Sequence, residues 1–128
     1  MKLEHAIAKV KRFLGRYSDA KGWKKKDIRL LAQDYLGMRG TTCQCCFQTI
    51  KSLSFDHAMP VSRGGGAVPS NIGPMHSLCN RAKGSLTLEE WSEFLGMLRT
   101  WRSKEYQVYI IRRLASGWRS GRASWLTG

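Results

Sequence analysis

At 128 residues the chain is long enough for one domain and short for two, and its formal charge of +13, with a pI near 10.1, is large for that length. Such a balance favours a polyanionic partner, nucleic acid ahead of an anionic membrane surface. Met1-Lys2-Leu3-Glu4-His5 is charged throughout and opens no apolar run long enough for a signal peptide or a membrane span, so an intracellular protein is expected.

The first forty residues hold eleven Lys or Arg against four acids, with Lys24-Lys25-Lys26 the densest spot. Leu3, Ala6, Ile7, Val10, Phe13 and Leu14 recur at helical spacing and predict a helix that ends near Gly15. A second helix is expected over 25–36, with Ile28, Leu31, Ala32 and Tyr35 as its stripe and Gly37 and Gly40 closing it. Any one of these cations could stand on a solvated helix face, so none is assigned a phosphate.

The chemistry-bearing residues come next. Cys43-x-x-Cys46 and His76-x-x-Cys79 are two half-sites at metal-ligand spacing. All four cysteines fall within 43–79, whereas a secreted disulfide scaffold would spread them along the chain. The spacing predicts a Cys3His zinc site from Cys43, Cys46, His76 and Cys79, with Cys45 a less well-spaced alternative for a neighbour. Four protein ligands leave no open position, so that zinc would be structural.

Leu53, Phe55, His57 and Met59 alternate with polar or small residues, the period of a strand. The stretch 62–74 is rich in Gly, Pro and Ser and reads as an irregular surface loop. A short helix is expected from about 75–78 to Lys83, stopped by Gly84. Between the half-sites stand Asp56, the only acid from 41 to 87, and His57. A lone carboxylate in a basic segment suits a hard cation such as Mg2+, and an imidazole can take a proton near neutrality. Asn80 offers an amide oxygen as a second ligand. Strict alternation puts Asp56 and His57 on opposite faces, so they can serve one phosphate only at the end or edge of the strand.

Thr87-x-x-Glu90 reads as a capping box before Leu88, Trp91, Phe94, Leu95, Leu98 and Trp101, an aromatic stripe expected in the core. A last helix over 104–115 would present Tyr106, Tyr109, Ile110, Arg113 and Leu114 on one face. Residues 118–128 read as a disordered tail.

The run Cys43-x-x-Cys46, Asp56-His57-x-x-Pro60, Gly64-Gly65, Asn71 and Cys79-Asn80-x-x-Lys83 resembles the HNH endonuclease family, over roughly 41–85. The resemblance implies an α+β fold: a central ββα-metal motif with structural zinc, flanked by N- and C-terminal helices. One domain over 1–128 is expected, with a basic helical segment 1–40, a zinc-stapled core 41–85 and C-terminal helices 86–117. It further implies His57 as general base, Asn71 as the residue that holds the loop and orients the base, and Asp56 and Asn80 as ligands of one catalytic Mg2+ or Mn2+. Arg81 and Lys83 would be phosphate contacts. His76 stands where the commoner form has cysteine, which predicts a more pH-sensitive zinc site; its distance from Asn71 is too short for the family's last catalytic histidine. The implied activity is metal-dependent hydrolysis of double-stranded DNA, one strand nicked per active site, by a monomer or homodimer. Small free-standing proteins of this kind are common among phages and prophages, an analogy that would put this one in a bacterial cytoplasm. The competing readings are a zinc-dependent DNA-binding module without catalysis, which leaves Asp56, His57 and Asn71 unexplained, and an RNA-cutting nuclease.

Overall fold

The computed structural model describes residues 1–120, and it is α+β: five α-helices around a two-stranded antiparallel sheet. Helix α1 (Leu3–Leu14) buries Ala6, Val10, Phe13 and Leu14, a stripe one helical repeat apart. It packs on α2 (Lys25–Met38), which buries Leu31, Ala32 and Tyr35. The Lys24 backbone N–H donates to Asp27 Oδ2 at 2.9 Å and so satisfies one orphan donor at the start of α2. Gly37 lies inside α2 rather than closing it, and Gly40, at φ +82°, makes the turn beyond.

Strands β1 (Leu53–His57) and β2 (Ile72–His76) pair with Leu53 opposite His76 and His57 opposite Ile72. The strand β2 occupies the end of the stretch expected as an irregular loop. Its Ile-Gly-Pro-Met-His sequence carries no alternation, and it is held by pairing with β1. Nor is the rest of that stretch wholly exposed, since Ala67 is fully buried between the loop and the α1–α2 connection. There Asp19 Oδ2 accepts from the Ala67 N–H at 3.1 Å and Trp23 Nε1 donates to the Ala67 carbonyl at 2.9 Å. The alternation read through Met59 stops at His57, and Met59 is exposed.

Helix α3 (Ser77–Lys83) follows β2 directly and packs against α5 (Lys104–Ser120). Between them in sequence runs α4 (Leu88–Trp101), whose capping box forms as expected: Thr87 Oγ1 accepts from the Glu90 N–H at 3.0 Å, and Glu90 Oε1 from the Thr87 N–H at 2.9 Å. Two corrections concern these helices. Trp91 and Leu95 are core, but Trp101 is 75 % exposed, because α4 leaves the core in its last turn. On α5 the buried face is Gln107, Ile110, Ile111, Leu114 and Ala115, rotated away from the exposed Tyr106 and Tyr109. That helix runs on through Ser120, past the expected stop near 115; the rest of the expected tail lies outside the described residues.

Two apolar clusters flank the sheet. One joins α1 and α2 to Phe55 and Ile72; the other joins α4, α5 and Ala82 of α3 to the buried cysteines. Leu53 packs against both. The sheet is thus the partition on which the site is built.

Candidate functional site

Residues 41–50 form a tight knuckle before β1. The Cys43 N–H donates to the Gln48 carbonyl at 2.8 Å and the Phe47 N–H to the Cys43 carbonyl at 3.0 Å, with Phe47 at φ +60° to make the reversal. This turn aims Cys43 and Cys46 inward. His76 ends β2 and Cys79 lies in the first turn of α3, so the strand–helix junction aims the second pair at the first. The four ligand atoms lie within 4.8 Å of one another, all on buried residues. Cys43 Sγ is 3.7 Å from Cys79 Sγ, and His76 Nδ1 is 3.2 Å from Cys46 Sγ and 3.7 Å from Cys79 Sγ. A tetrahedral zinc with ordinary bond lengths would hold such atoms about 3.6–3.8 Å apart. The donor set therefore fits a structural zinc.

The electrostatics of the cluster agree. Hydrogen bonds from Cys45 and then Cys79 hold the Cys43 thiol well below its ordinary range. Cys79 is pushed up, by its hydrogen bond to Cys43 first, and Cys46 is pushed up, by burial first. Thiols this close resist ionising together, and a divalent cation removes that penalty. Cys45 stands outside the four; its N–H donates to Cys43 Sγ at 3.4 Å. The C-terminal helices clasp the knuckle from outside: Gln107 Nε2 donates to the Cys45 carbonyl at 2.7 Å and Arg99 Nη2 to the Gln44 carbonyl at 2.7 Å.

On the other side of α3, a cleft of about 450 Å³ opens between α1 and β1. Five consecutive residues of β1, Leu53 to His57, line it. Neighbours from both faces of a strand can share a cleft only along its edge, and among the described residues β1 pairs with β2 alone. The sequence required an edge for Asp56 and His57 to meet one group, and this is one. Asn80 of α3 completes the wall.

Each of these side chains is held. His57 is 5 % exposed, its ring edge-on to Tyr17 at 4.8 Å between centroids and beside Phe13 at 5.9 Å; its Nε2 is buried with no hydrogen-bond partner among the described residues. Aromatic packing, rather than a carboxylate, fixes the ring. Asn80 Nδ2 donates to Ser54 Oγ at 3.0 Å, which leaves the amide oxygen as its remaining acceptor. Asp56 Oδ2 accepts from Lys83 Nζ at 2.8 Å.

Asn71 lies outside the cleft lining and works on backbone. Its Oδ1 accepts from the Met59 N–H at 2.8 Å, and its Nδ2 donates to the carbonyls of Met59 at 3.1 Å and Gly66 at 3.0 Å. The Asn71 carbonyl accepts from the Ala58 N–H at 2.8 Å, next to His57. One asparagine thus ties both arms of the β1–β2 loop together. Lys83, expected on phosphate, is wholly buried: its ammonium bonds to Asp56 and, at 3.4 Å, to the His57 carbonyl, and meets no solvent. Arg81 is exposed but does not line the cleft.

Sequence reasoning assigned no role to the opposite wall of the cleft, which is Lys9, Arg12, Phe13, Arg16 and Tyr17. The signal available was the charge excess of the first forty residues. Which of those cations face β1 depends on how α1 docks.

A zinc-type knuckle, an antiparallel strand pair and a short helix in this order define a ββα-metal fold. Residues 43–86, about a third of the chain, match the model of the HNH endonuclease family. The resemblance read from the sequence thus holds over this segment, and an HNH segment is one of nucleases and nucleic-acid-binding proteins. No curated protein and no solved structure matches the chain. Among the described residues no helix is long and apolar enough to cross a membrane.

Proposed function

We propose that this protein is a metal-dependent DNA endonuclease, acting as one intracellular domain in which the zinc clasp is structural and the cleft between α1 and β1 is the active site. The observation that carries this reading is the meeting of His57, Asp56 and Asn80 on one cleft wall, within the segment that matches the family. His57 is the general base: its ring, clamped by Phe13 and Tyr17, takes a proton from a water in the cleft that attacks phosphorus in line. Asn71 positions that base indirectly, through the backbone of residues 58 and 59.

Asp56 and the Asn80 amide oxygen are the residues that would hold Mg2+ or Mn2+. Two hard oxygen donors, with no second acid on the cleft wall among the described residues, fit an ion that keeps several waters. When bound, the ion supplies positive charge to the phosphate and the departing 3′ oxygen. Lys83 fixes the Asp56 carboxylate from beneath and is not a phosphate contact in this reading. One such site cuts one strand and leaves a 5′-phosphate, so a monomer nicks and only a homodimer cuts both strands together.

The test is relaxation of supercoiled plasmid with titrated Mg2+ or Mn2+, with a structured RNA as parallel substrate. The wild type should nick plasmid only with added metal. His57→Ala should keep its zinc and its DNA binding and lose at least about a hundredfold in nicking rate. Full activity in that variant would remove the base assignment. Metal-independent binding without nicks would leave a zinc-dependent DNA-binding module, and cleavage confined to RNA would change the substrate.

A further inference from the structure

Helix α1 lies wholly outside the segment that matches the family, yet it forms half of the cleft. Lys9, Arg12 and Arg16 follow one another at spacings of three and four, which places Lys9 and Arg12 on one face of α1 and Arg16 in the turn just past its end. All three line the cleft opposite Asp56 and Asn80. Among the described residues none of their side chains has an ion-pair or hydrogen-bond partner, and the acid across from them, Asp56, is already bonded to Lys83. Three unneutralised cations facing one concave surface form a strong anion-attracting field.

We infer that α1 is the phosphate-binding wall of this site: Lys9, Arg12 and Arg16 contact successive phosphates of the strand that is cut, flanking the one presented to His57. This rests on the nuclease reading for the identity of the strand. The reach is right. Lys9 and Arg16 are seven residues apart, about 10 Å at the helical rise with Arg16 in the turn after α1, and one strand of duplex DNA carries a phosphate about every 3.4 Å along its axis. Three cations over that length match about three phosphates. The cleft, at about 450 Å³, admits the backbone of one strand rather than a whole duplex. The contacts are to phosphate and not to base edges, so they supply affinity and register without sequence preference.

The experiment compares two triple variants that lose the same charge. One is Lys9→Gln/Arg12→Gln/Arg16→Gln. The other is Lys24→Gln/Lys25→Gln/Lys26→Gln, at exposed positions away from the cleft. Binding to a labelled 30-base-pair duplex is measured by fluorescence anisotropy across a salt series without added Mg2+, and plasmid nicking is measured with Mn2+. Zinc content and far-ultraviolet circular dichroism check that both variants fold. The slope of log affinity against log salt should become shallower by about 2–3 in the α1 triple, since each phosphate contact contributes about 0.9. The control triple should change it by less than about 1. Nicking by the α1 triple should show a KM raised at least about tenfold with kcat within about threefold, the split expected when uniform binding is lost. Equal slope changes in the two triples, or an unchanged slope in the α1 triple, would overturn the inference. If no variant nicks plasmid, the nuclease reading fails while the slopes still decide whether α1 holds phosphate.

Discussion

Gly65 is the residue with least room to change. A Cβ there would collide with the Met59 carbonyl and come within 3.0 Å of Asn71 Nδ2, the amide that joins the two arms of the β1–β2 loop. Backbone cannot give way as a flexible side chain can, so Gly65→Ala should cost at least about 2 kcal/mol in urea unfolding. Nicking should fall as well, because the displaced loop carries the residues that follow His57. A variant as stable and active as wild type would show that the loop is not held as described. Lys83 illustrates the opposite case, a residue whose type was legible and whose role was not. In sequence it is one more cation beside Asn80. In the fold it is a buried ammonium whose partners, Asp56 and the His57 carbonyl, lie 27 and 26 positions away. Nothing in its neighbours along the chain distinguishes it from the exposed Arg81.

Among the elements, α4 separates pattern from burial most clearly. Its apolar positions recur at helical spacing from Leu88 to Trp101, and its capping box forms as read, because both signals are local to one turn. Burial is not local. Trp91 is 1 % exposed while Trp101, at the far end of the same stripe, is 75 % exposed. Trp91→Ala should therefore cost about 3–5 kcal/mol in denaturant unfolding, the range for a large core side chain. Trp101→Ala should stay within about 0.5 kcal/mol. Comparable losses at the two positions would contradict the packing of α4. The same reasoning accounts for β2. A strand containing Gly73 and Pro74 has poor intrinsic propensity, and it exists because β1 offers it a register that ends with His76 beside the cysteines.

For the whole molecule, the Cys3His cluster, a zinc clasp in the proposed reading, joins pieces that would otherwise have little to hold them. The knuckle of residues 41–50, the end of β2 and the start of α3 converge on four ligand atoms, and α4 and α5 grip the knuckle through Arg99 and Gln107. Metal binding by such a site is folding free energy. Treatment with a strong zinc chelator should lower the melting temperature by at least about 10 °C and abolish nicking, and adding Zn2+ back before Mg2+ should restore both. Mg2+ alone should not, since thiolates select the softer ion. A chelated protein with unchanged melting would show that the cluster is not structural.

The sequence by itself determined the family resemblance over 43–86 and the four residues of the metal-type cluster. Metal half-sites, a capping box and helical periodicity are relations between residues a few positions apart, and local chemistry dictates them. The tertiary structure alone decided that α1 faces β1 across a cleft, that Asn71 binds backbone, that Lys83 is buried under Asp56, and that the α5 face is turned away from its tyrosines. Those are contacts between distant segments, selected by how two apolar clusters pack on either side of a small sheet, and no short-range pattern encodes them.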